Sequence, residues 1–114
     1  MRLRGLTVIG AAIGILAMSS AAFAQDAEKG AKVYADQKCS VCHSIAGKGN
    51  AKGPLDDVGS KLSADDIRQW IVDPAAMTAK AKATRKPPMP AKYASLPKDD
   101  VDALVAYLSS LKKK

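Results

Sequence analysis

Cys39, Ser40, Val41, Cys42 and His43 stand in a row, and three of the five can do chemistry. The cysteines are the only two in the chain, and His43 is its only histidine. Two thiols three positions apart, at the start of a helical turn, can reach the two vinyl groups of one porphyrin and form thioethers. The histidine that follows is then held under the ring, where its imidazole can bind iron. The row spells C-x-x-C-H, the attachment pattern of a c-type haem. The competing reading is a plain disulfide, which an oxidising compartment would permit.

Iron held by one imidazole takes a second axial ligand or keeps an open position. No second histidine exists, so the candidates are Met89 and Met77, with a Lys or Tyr ranked below them. Met89 lies in Lys86-Pro87-Pro88-Met89-Pro90. Prolines fix φ and remove backbone donors, so this stiff loop can present a thioether at small entropic cost. Met77 lies in Ala75 to Lys80, a helical turn after Pro74, where a methionine is usually a gap-filler. Met89 is therefore the expected distal ligand and Met77 the second choice. The remaining reading is five-coordinate iron with both methionines packing. A thioether favours ferrous iron and raises the potential, and a filled coordination sphere excludes substrate. The chain is thus expected to carry electrons and not to be an enzyme. A haem enzyme or gas sensor would want a labile position, and an enzyme a distal acid–base group too.

The elements that must position these groups follow from the rest of the chain. Residues 1–24 read as a signal peptide. Arg2 and Arg4 precede an apolar run from Leu6 to Ala17, and Ala22-Phe23-Ala24 is an A-x-A cleavage site. The run is shorter than the roughly 20 residues that span a bilayer. The expected product is cleaved after Ala24 and periplasmic, with no transmembrane segment in the mature chain. Residues 25–114 then form one small domain. Its aromatics are only Tyr34, Trp70, Tyr93 and Tyr107. So thin a core needs a staple, which a covalent haem would supply.

Strand signals are nearly absent, and three segments have helical periodicity. Ala27, Gly30, Ala31 and Tyr34 share one face of 26–38. Ser63 is a candidate N-cap for 64–72, which carries Ile67, Trp70 and Ile71 and ends at Asp73-Pro74. Segment 98–111 sets Val101, Leu104, Val105, Leu108 and Leu111 on one stripe, with acids at its start and Lys112 to Lys114 as a frayed tail. Residues 44–60 and the four-proline stretch 84–98 read as loops. Gly30 lacks a Cβ, so a second helix can approach it, with Leu104 and Tyr107 filling the gap.

In this order the residues resemble a class I c-type cytochrome, across nearly all of 25–114. The resemblance rests on Gly30 with Tyr34, the C-x-x-C-H row, Gly53-Pro54-Leu55, Met89-Pro90, and Leu104 with Tyr107. The pattern departs from the family by an extra residue between Tyr34 and Cys39, relative to some members, and by Pro97 where many have a Ser or Asp cap. The resemblance implies an all-α class I cytochrome c fold, three to five helices wrapped around one covalently attached haem. It implies Cys39 and Cys42 as attachment sites, His43 proximal and Met89 distal. It also implies that the Pro54 carbonyl accepts the His43 N–H. Trp70 is either a propionate contact, as in some relatives, or plain core.

The whole chain carries a net charge of +7. Nucleic acid is excluded as a partner for an exported chain with no aromatic-rich basic motif. Between Pro74 and Lys98 lie Lys80, Lys82, Arg85, Lys86, Lys92 and Lys98 and no acid, whereas Asp56, Asp57, Asp65, Asp66 and Asp73 dominate 56–73. A dipolar monomer that docks acidic redox proteins beside the Met89 loop is expected. The alternative is the cytochrome subunit of a stable periplasmic oxidoreductase complex.

Overall fold

Five α-helices and one short hairpin make up residues 26–113, the part of the chain that this computed structural model describes. The expected signal peptide lies outside the described residues. Helix α1 covers 26–36. Helix α2 is Val58–Lys61, α3 is Ala64–Val72, α4 is Pro74–Ala81 and α5 is Lys98–Ser109. The all-α expectation holds.

Local chemistry sets the helix ends. Ser63 Oγ accepts the Asp66 N–H at 3.1 Å and caps α3. Asp73 closes α3 through its own N–H to Gln69 O at 2.8 Å, and opens α4 by accepting the Ala76 N–H at 3.4 Å. Pro74 fits the first position of α4, where no N–H is needed. The single turn expected around Met77 is therefore a full eight-residue helix. Pro97 gives α5 no side-chain cap. Asp99 and Asp100 in its first turn meet the helix dipole instead.

The two stretches read as loops hold more order than their composition suggests. Ser44–Ile45 (β1) pairs antiparallel with Lys48–Gly49 (β2). Ala46 and Gly47 both have positive φ, 54° and 79°, which is the tight turn that matches strand twist. Two-residue strands are too short to leave a period-2 pattern. Residues Ala91–Ser95 form a 3-10 turn that buries Tyr93.

The buried core comes from α1 (Val33, Tyr34), α3 (Ile67, Ile71), Tyr93 and α5 (Val101, Ala103, Leu104, Val105, Leu108). At the α1–α5 crossing a Cβ on Gly30 would overlap the Ala103 carbonyl and the Tyr107 Cβ. The neighbours of Gly30 are thus Ala103 and Tyr107; Leu104 turns into the core. Tyr34 and Tyr107 meet edge to face, with ring centroids 5.9 Å apart. Lys29–Asp100 (3.5 Å) and Arg68–Asp102 (2.8 Å) tie α1 and α3 to α5 across the surface. Gly30→Ala should destabilise the protein by about 1–3 kcal/mol, because a methyl has to push two helices apart. Thermal unfolding of the variant checks this, and an unchanged midpoint would refute the close crossing.

The C-terminal tail is not frayed as far as Lys113. Gly59 N–H donates to Leu111 O at 2.8 Å, and the Lys113 N–H donates to Asp57 Oδ1 at 2.7 Å. Asp57 is the residue the sequence counts only as surface acid, and this bond draws its carboxyl below the usual range.

Candidate haem site

The C-x-x-C-H row folds as a 3-10 turn, Cys39–Val41, entered through Lys38 in the left-handed region. Cys42 N–H and His43 N–H both donate to Cys39 O, at 3.2 and 3.0 Å. Asn50 clamps the same turn from outside. Its N–H donates to Ser40 O (3.1 Å) and His43 O (2.9 Å), and its Nδ2 donates to Val41 O at 3.2 Å. Gly49 at φ 110° brings the hairpin in, and a side chain there would strike the His43 carbonyl.

His43 is oriented by a backbone carbonyl. Its Nδ1 lies 3.1 Å from Gly53 O, which also accepts the Ser44 N–H at 3.0 Å. A carbonyl only accepts, so Nδ1 bears the proton and Nε2 keeps its lone pair, the arrangement that presents an imidazole to a metal. The acceptor expected from the resemblance was Pro54, and the structure puts it one residue earlier. The reason is the bridge between Ser44 and Pro54, which draws Gly53 O onto the Ser44 N–H and brings it beside the ring. Burial pushes the His43 pKa below its usual value; the Gly53 bond opposes this and the Arg85 charge adds to it. The ring is therefore neutral at pH 7.

A cavity of about 830 Å³ opens beside this turn. It lies at the upper end of the ~300–1,000 Å³ usual for small-molecule and cofactor sites. Cys39, Cys42, His43, Pro54, Trp70 and Met89 all line it. Apolar side chains such as Leu55, Leu62, Ile71 and Leu104 form much of the rest. Met77 does not line it. Tyr93, one of the four aromatics of the domain, is buried and lines the cavity.

The residues present fit a large, flat, mostly apolar group. Tyr34 Oη is buried and has no hydrogen-bond partner among the described residues, although its ring borders the cavity. Burial drives its pKa up to about 12, so it stays a neutral phenol. Burial likewise raises the Cys39 thiol to about 11. No cluster of three or more His, Cys, Asp or Glu among the described residues could hold a bare metal ion.

The sequence model of the cytochrome c family matches residues 27–112. The chain belongs to the cytochrome c family. It is similar to a cytochrome c oxidase subunit 2 of Alkalihalophilus pseudofirmus, 32% identical over 95 residues, covering 75% of this chain and 26% of the relative. The chain thus spans about a quarter of the length of that relative. No solved structure matches it. Membership implies a c-type cytochrome with covalently bound haem c, acting in electron transport with redox partners. Cytochrome c domains are typically exported. No helix among the described residues is long and apolar enough to cross a membrane.

Proposed function

We propose that the chain is a single-haem electron carrier of the periplasm. Cys39 and Cys42 hold the haem through thioethers, His43 is the proximal ligand and Met89 the distal one. The observation that carries this reading is the shared cavity. Cys39, Cys42, a His43 whose Nδ1 is fixed by a carbonyl, and one methionine border a single, mostly apolar space of about 830 Å³. When bound, a haem iron gains or loses one electron without making a bond to a substrate. The protein's part is to shield the group from water, fix both axial donors and leave an edge for transfer. Trp70 borders the space, and a propionate contact is the role proposed for it. No distal acid–base side chain is assigned, so no catalytic role is proposed.

Mass spectrometry of the exported protein tests this reading. A gain of one tetrapyrrole mass that survives acid–organic extraction is expected. A mass equal to the polypeptide alone would sink it and leave the thiol–disulfide reading.

The likeness to part of an oxidase subunit favours a second reading, in which the same domain works inside a stable oxidoreductase complex. Elution of the native protein as a small monomer would decide for the free carrier.

Partner choice follows from charge. Arg85 and Lys92 border the cavity, and Lys86 lines a smaller cleft next to it together with Val41 and Cys42 of the attachment turn. Lys92 also stacks 5.3 Å above the Tyr93 ring. Val41 is 67% exposed within this setting. An acidic partner is steered to such a face. The double variant Lys86→Glu with Lys92→Glu should slow electron transfer at low salt by about tenfold or more, with the difference vanishing at high salt. Equal rates at low ionic strength would count against steering.

A further inference from the structure

We propose that Arg85 sets the reduction potential of the bound iron, as a fixed positive charge beside the proximal imidazole. The proposal rests on His43 being the proximal ligand. Arg85 Nη1 and His43 Nδ1 both lie within 3.0 Å of the point that a Cβ on Gly53 would occupy. Glycine at this position is what lets the guanidinium descend onto the backbone next to the ring. The charge is not cancelled internally. Among the described residues, the ion pairs are Lys29–Asp100, Arg68–Asp102 and Lys98–Asp102, and none involves Arg85.

The sign of the effect follows from Coulomb's law. Removing an electron from the iron adds one positive charge to the site, and a neighbouring cation opposes that step. Arg85 therefore favours the reduced form and raises the potential. Arg85 also borders a second, more polar cleft of about 580 Å³, shared with Cys42, Asn50, Lys52, Thr84 and Lys86. Arg85 is exposed, so dissolved salt screens its charge. From sequence alone Arg85 is one of six basic residues in a docking stretch, and nothing in its neighbours points to His43.

Optical redox titration of the holoprotein tests the proposal, with Arg85→Gln, Arg85→Lys and Lys112→Gln at low and high salt. Arg85→Gln should shift the midpoint potential downward, Arg85→Lys should remain near the parent, and Lys112→Gln should leave it unchanged. The gap between parent and Arg85→Gln should narrow as salt rises. Should Arg85→Gln fail to fold, Arg85→Met keeps the aliphatic stem and serves as the neutral variant. An unchanged potential in a folded neutral variant overturns the proposal. So does an equal drop in the neutral and lysine variants that ignores salt, which would mark a packing role. A parent protein without covalent haem would instead overturn the reading of the site, and this proposal with it.

Discussion

Replacing both Cys39 and Cys42 by serine should leave a chain that does not fold cooperatively when prepared without haem. The reason lies in the shape of the core. Nine buried residues from α1, α3, α5 and Tyr93 form one cluster, and the cavity of about 830 Å³ borders many of them. Without the haem this largely apolar space opens to water, and the core residues that border it lose their packing partner. The hydrogen bonds of the Asn50 clamp and the tail bonds to Gly59 and Asp57 lie at the surface and cannot offset that loss. Far-UV circular dichroism against temperature measures the outcome. A flat, non-cooperative trace is expected for the variant and a sharp transition for the haem-bearing parent. A variant that melts like the parent would show that the core is self-sufficient, and the cavity would then need another explanation.

Met89→Ala should remove the weak near-infrared band of a methionine–iron(III) bond, and reduced protein should then bind carbon monoxide rapidly. The potential should also fall, on the order of a few hundred mV within the ~0.8 V range that axial ligands span. A thioether donor favours the ferrous state, and its removal leaves His43 alone with an open position. Met89 is half-buried, packs on the core and borders the cavity. Met77 sits half-buried in α4, away from it. Met77→Ala should accordingly leave the band in place. A band that persists in Met89→Ala and disappears in Met77→Ala would reverse the assignment. The stiff Pro87-Pro88-Met89-Pro90 run makes compensation by another side chain costly.

Much of this architecture is legible in the residues because the relevant signals are local. The Ser63 cap, the Asp73-Pro74 break and the apolar stripe of 98–111 each act within one or two turns, and α3, α4 and α5 begin or end there. The attachment row announces itself by spacing alone. What escapes the sequence depends on long-range geometry. The hairpin at Ser44–Gly49 is too short for periodicity to register. The acceptor for His43 is Gly53 because a bridge from Ser44 to Pro54 sets the register, and no residue type encodes that. Ala103 replaces Leu104 at the Gly30 crossing because helix rotation decides which of two neighbouring positions faces the partner. The anchoring of Lys113 uses a backbone amide, to which side-chain identity is blind. Arg85 beside His43 and the buried Tyr93 are likewise products of how distant segments meet.

The Asn50 clamp determines where this chain can change length over evolution. One backbone amide spans two carbonyls on either side of the attachment turn, so the segment from Ser40 to Asn50 has a fixed contour. A single inserted residue there would break the registration of Ser44 with Gly49 and turn the imidazole away from its acceptor. Insertions and deletions should therefore be excluded from this segment, and surveys of natural variants should find the eleven positions of the clamp invariant in number even where they differ in kind.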